Sequence, residues 1–93
     1  MDLLDLKRAE ILAAARRHRA RQVYVFGSVA RGDAQQDSDV DLLIDFEPGI
    51  TLVELAQLKH ELESILERNV DIVSSMSLPE SLKTQIEKDA VRL

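Results

Sequence analysis

The chain has 93 residues, no cysteine and a formal net charge of −5. That length allows one domain with one modest core. The missing cysteines exclude disulfides, thiolate metal sites and a cysteine nucleophile, and the negative charge argues against bulk affinity for nucleic acid, which depends on neutralising phosphates.

Only 3% of residues are aromatic, so the core must be built from Leu, Ile, Val and Ala. The first residues lack an apolar leader and no later run approaches membrane-spanning length, so the expectation is a cytoplasmic protein with no membrane partner. Charge is unevenly spread. Lys7, Arg8, Arg16, Arg17, Arg19 and Arg21 precede the first predicted strand, whereas Asp33, Asp37, Asp39, Asp41, Asp45 and Glu47 crowd the centre. The basic group is either a solvated helix face or a docking surface for an acidic partner.

In chain order, Leu4, Ile11, Leu12 and Ala15 recur at helical spacing and predict a helix from Asp2 to about His18. Residues 22–26 form a short strand rich in strand-favouring types, ended by Gly27. The polar segment that follows holds turn signals at Gly32-Asp33 and Asp37-Ser38, and residues 29–31 could form a helical turn that aims free N–H groups at a phosphate. In the next strand Val40, Leu42, Ile44 and Phe46 share one face; Asp39, Asp41, Leu43 and Asp45 share the other. Thr51 and Glu54 predict a capping box. The stripe Leu55, Leu58, Leu62, Ile65, Leu66 carries the helix to about Glu67. Val70 to Val73 is a third, apolar strand of central type. Ser77-Leu-Pro-Glu80 predicts a second capping box, with Leu82, Ile86, Ala90 and Leu93 as the last helical stripe. The fold class is therefore α/β, a sheet of about three strands with helices packed against it.

Asp39 and Asp41, two apart on a strand, lie on one face roughly 7 Å from each other. Carboxylates so placed repel unless a cation sits between them, and oxygen-only ligands suit a hard ion such as Mg²⁺. Gly27-Ser28 lets backbone N–H groups and a hydroxyl approach a phosphate closely. Arg31 could pair with a phosphate or form a local ion pair with its acidic neighbours. Asp45 lies about 13 Å beyond Asp41, too far for the same ion, and is expected to be solvated. His18 and His60 have no second ligand at metal spacing, Tyr24 belongs in or near the core, and Glu54, Glu61, Glu63 and Glu67 with Lys59 form a charged helix face.

Gly27-Ser28, ten residues, then Asp39-Val40-Asp41 resembles the signature of the DNA polymerase β nucleotidyltransferase superfamily, and the flanking residues are similar to its smallest branch, the minimal nucleotidyltransferases. The resemblance covers most of the chain. It implies a palm-like mixed sheet in a single domain over residues 1–93. Asp39, Asp41 and Asp71 would act as catalytic carboxylates holding two Mg²⁺ ions, with Gly27, Ser28 and Arg31 at the phosphates of ATP. It also implies a partner, a small all-helical HEPN toxin, in a hetero-oligomer. The function so implied is transfer of AMP from ATP to a hydroxyl of that toxin, expected to be a tyrosine's, making the chain its antitoxin. Two alternatives remain open: neutralisation of the toxin by contact alone, or nucleotidyl transfer to a small molecule held by a separate subunit.

Overall fold

The computed structural model describes residues 3–27 and 39–93. In chain order these form α1 (Leu3–Arg17), β1 (Ala20–Phe26), β2 (Val40–Phe46), α2 (Leu52–Leu66), β3 (Val70–Ser74), a 3-10 turn (Ser75–Ser77), α3 (Glu80–Asp89) and β4 (Val91–Arg92). The strands make one mixed sheet in the order β3-β2-β1-β4. β1 is antiparallel to β2 and to β4, whereas β2 and β3 run parallel. Parallel neighbours need a crossover, which α2 supplies.

Two expectations about the sheet are corrected. There is a fourth strand: Ala90 leaves the helical region at φ −81, ψ 147, so the helical stripe does not continue through Ala90 and Leu93. Val91 and Arg92 pair with β1 instead, and the Leu93 N–H donates to the Val23 carbonyl at 2.9 Å. The second correction concerns β3, which lies at an edge of the described sheet, not at its centre. Its apolar residues are there because α2 packs on it.

The core lies between the sheet and α1 and α2. Ile11, Ala14 and Ala15 of α1 and Leu58, Leu62 and Leu66 of α2 meet Val23 and Val25 of β1 and the Val40, Leu42, Ile44, Phe46 face of β2, all buried. Burying one such aliphatic side chain contributes about 1.5–3 kcal/mol. Leu12, Leu55 and Ile65 sit at the margin; the side chain of Leu4 lies outside the described residues. Leu43, on the opposite face of β2, is also buried. Thus β2 is covered on both sides, and only its two aspartates are partly open.

Polar side chains fix how the helices sit. Thr51 caps α2 by accepting from the Glu54 N–H at 3.1 Å, and Glu67 closes it in the left-handed conformation. The Glu54 carboxylate lies 3.7 Å from Arg19 Nε. The other glutamates on α2 do more than solvate a helix face. Glu61 accepts from Arg17 and lies 3.0 Å from His18 Nε2, joining α2 to the end of α1. Glu63 accepts from the Val70 N–H at 3.0 Å and so holds the start of β3. The Arg17 hydrogen bond holds the Glu61 carboxyl below its usual value of 4.5; partial burial opposes this and His18 assists it. At α3 the expected serine cap is not formed: the N-cap is Pro79, without a side-chain hydrogen bond. Ser77 donates to the Ser74 carbonyl at 2.9 Å, within the 3-10 turn.

Candidate active site

Asp41 is the second residue of β2, next to Phe26 at the end of β1 on one side and Asp71 of β3 on the other. Adjacent strands lie about 4.8 Å apart and register partners point to the same face, so the parallel pairing brings Asp71 beside Asp41. Asp39 immediately precedes β2 and shares that side. It is exposed, as is Asp71, while Asp41 is half-buried. Burial first, then the charges of Asp71 and Asp39, push the Asp41 carboxyl above its ordinary value of 3.8. Asp71 and Asp39 therefore act electrostatically on Asp41.

Gly27 completes this corner. Its φ is +76, and a Cβ built there would stand 2.5 Å from Asp41 Oδ2. No side-chain-bearing residue fits without displacing the carboxylate. The strand-ending glycine thus lets the β1 backbone turn against Asp41. Ser28, Arg31 and the helical turn expected at residues 29–31 lie outside the described residues.

The donor set suits a hard cation: three carboxylates, oxygen ligands only, with mutual repulsion that a positive ion would relieve. Among the described residues no group of three or more acidic, histidine or cysteine side chains is already gathered for a metal ion. The corner therefore supplies matched donors whose side chains must still close on an ion.

Asp45 departs from expectation. It accepts from Ser75 Oγ at 2.9 Å, and Ser75 is buried, so the far end of β2 is tied to the 3-10 turn after β3. Sequence reasoning missed Ser75; its signal was a serine-rich run directly after a strand, at the place where a turn must fold back. His60 is exposed and His18 serves Glu61, so neither is a metal candidate. Tyr24 is half-buried and its hydroxyl donates to Gln22.

The mixed four-stranded sheet, with carboxylates at the head of an inner strand, matches a nucleotidyltransferase fold. The chain belongs to the family described as Polymerase beta, Nucleotidyltransferase, whose model matches residues 7–93, and it is an enzyme of that class. It is 35% identical over 97 residues to the protein adenylyltransferase MntA of Thermococcus cleftensis, covering 98% of each chain. A solved structure provisionally described as a minimal nucleotidyltransferase superposes with a TM-score of 0.89 at 48% identity, covering 100% of this chain and 97% of the other. A more distant likeness, at 21% identity and a TM-score of 0.73, is to a complex of a tri-AMPylated Shewanella oneidensis HEPN toxin with an MNT antitoxin; it covers 95% of this chain and 69% of that one and bears on fold alone. No described helix is long and apolar enough to cross a membrane.

Proposed function

We propose that this nucleotidyltransferase is a single cytoplasmic domain over residues 1–93 that moves AMP from ATP to a tyrosine hydroxyl of a small all-helical HEPN toxin, and so acts as its antitoxin in a hetero-oligomer. The observation that carries the proposal is the corner of Asp39, Asp41 and Asp71, whose negative charge is unrelieved at Asp41. The name of the MntA relative, a protein adenylyltransferase, supports AMP as the group moved and a protein as the acceptor.

In the transfer, the acceptor oxygen bonds to the α-phosphorus and the bond from that phosphorus to the β-phosphate oxygen breaks. Pyrophosphate leaves with the electron pair, and the hydroxyl proton is lost to base. Mg²⁺, when bound, would neutralise the triphosphate and favour the ionised hydroxyl. Asp39 and Asp41 would hold it on the triphosphate side, with Asp71 toward the acceptor. Gly27 leaves room for the phosphates beside Asp41; Ser28 and Arg31 would bind them. The protein's further task is alignment, since orientation of two bound reactants can supply much of the barrier reduction.

The test is intact mass of the candidate toxin after incubation with this protein, ATP and Mg²⁺, beside the Asp39→Asn, Asp41→Asn double variant. The expected result is a gain of one or more AMP units, absent with the variant. No gain, with the double variant still neutralising the toxin, would replace transfer by inhibition through contact.

A further inference from the structure

The basic residues that precede β1 do not share one face. The chain reverses between α1 and β1 at Arg19, whose φ is +67, and the reversal sorts the arginines into two groups. Arg17 and Arg19 turn toward α2, where Glu61 and Glu54 pair with them. Arg16, near the end of α1, and Arg21, at the start of β1, instead edge a cleft of about 70 Å³ together with Arg92 of β4. Three elements thus bring three guanidinium side chains to one concavity. No acidic residue lines it, and among the described residues none of the three makes an ion pair. Arg8 adds a fourth positive charge beside them, since its Nη2 donates to the Arg92 carbonyl at 3.2 Å. This local excess opposes the net charge of −5 carried by the whole chain. Like charges gathered without a counter-charge repel, and a bound anion relieves them.

Size and overall charge decide which anion fits. About 70 Å³ admits one carboxylate-sized group, and the negative charge of the whole protein disfavours a nucleic-acid backbone. Arginine takes a carboxylate through two parallel N–H donors, and the apolar floor of Leu12, Ala15 and Val23 suits the aliphatic stem of a glutamate. We propose that this cleft docks a glutamate- or aspartate-rich segment of the protein that accepts AMP. Ala20 and Val23 stand six and three residues before Phe26, about 10–20 Å along the strand from the neighbour of Asp41. A protein surface spans that distance and a small molecule does not. The cleft therefore holds a protein acceptor without touching the reacting atoms. The proposal rests on the reading that the acceptor is a protein, but its first test needs no transfer.

The probe is a short labelled peptide of alternating glutamate and serine, compared with a glutamine twin, by fluorescence anisotropy and arginine Nε–H chemical shifts. The glutamate peptide binds, shifts the signals of Arg16, Arg21 and Arg92, and weakens as salt rises; the glutamine twin does not bind. Arg16→Gln with Arg21→Gln weakens binding about tenfold or more, as loss of two charge-assisted contacts should. Lys59→Gln with Lys88→Gln removes the same charge from exposed positions outside the cleft and leaves binding intact. In transfer to the protein acceptor, the double arginine variant raises KM and keeps kcat. Absence of peptide binding, or equal weakening by the arginine and lysine pairs, would overturn the proposal. So would a single-stranded oligonucleotide that displaces the peptide and binds more tightly, since the cleft would then serve phosphates. Failure of AMP transfer with the peptide results intact would sink only the proposed reaction.

Discussion

The two ends of β1 face opposite chemistry. At the Phe26 end stand Asp41, Asp71 and Asp39, where burial and then the charges of Asp71 and Asp39 make Asp41 harder to ionise. At the Ala20 end is a small cleft of about 70 Å³ edged by Arg16, Arg21 and Arg92, with Leu12, Ala15 and Val23 on its apolar side. Among the described residues none of these three arginines takes part in an ion pair, unlike Arg17 and Arg19. The two ends differ in what stands behind the charges. Asp41 and Asp71 sit on paired strands with Asp39 directly before β2, held by backbone register beside a position that admits only glycine. The arginines are exposed, on long side chains that can turn into water. A charge cluster fixed by strand register can position a reaction; one on mobile surface side chains has only its net sign to offer.

Substitutions can break this contrast. The largest effect is expected from Asp39→Asn with Asp41→Asn: nucleotidyl transfer falls by on the order of 10³-fold or more, the loss of several kcal/mol of charge stabilisation, while the melting temperature holds or rises because a repelling set is removed. Asp71→Asn alone should cut transfer more than nucleotide binding, measured by titration calorimetry. Full transfer activity in either variant would end the carboxylate assignment.

Gly27→Ala comes next. It forces a methyl to 2.5 Å from Asp41 Oδ2 at a positive φ, and should cost about 1–3 kcal/mol in denaturant unfolding together with a drop in transfer. An unchanged protein would mean the corner yields freely. Ser75→Ala removes the bond to Asp45 and should cost about 1 kcal/mol, with transfer little altered because Asp45 stands apart from the three acids.

Glu61→Gln should cost about 0.5–1 kcal/mol and flatten the acid limb of stability. Because the folded-state carboxyl of Glu61 is held below 4.5, its contribution is present above that pH and is lost as pH falls through the lower folded value. Thermal melts from pH 6 to pH 3 would check this; parallel curves for the two proteins would remove Glu61 as an acid-sensitive tie. The smallest effect is predicted at the basic end. Arg16→Gln with Arg21→Gln should alter stability by no more than about 0.5 kcal/mol and leave transfer to a free small-molecule acceptor unchanged; a large loss would show the two ends to be coupled.

Much of this was legible because periodicity is local. The α1 and α2 stripes and the alternation in β2 fix which faces are buried from residue types alone, and in β3 Asp71 alternates with the apolar Val70 and Ile72. What escaped depended on distant partners. Two residues, Val91 and Arg92, cannot announce a strand by alternation, and Ala90 and Leu93 fitted a helical period that the chain abandons to pair with β1. The edge position of β3 follows from strand order, which no segment encodes by itself. Ser75 and the glutamates of α2 looked like ordinary polar surface until Asp45, Arg17, His18 and Val70 came within reach. The close approach of Gly27 to Asp41 likewise exists only once β1 and β2 are side by side.

The pairing of β1 has a consequence for the order in which the molecule is assembled. Val25 meets Leu42 across 17 positions of chain on one side and Val91 across 66 on the other. The entropy lost in closing a loop grows with its length, so the nearer pairing closes at the lower cost. The β1–β2 corner that seats Gly27 against Asp41 can therefore form while the chain is still being synthesised. Arg92 joins Arg16 and Arg21 only once the longer pairing of β4 with β1 has closed, so the basic cleft is completed later than the β1–β2 corner.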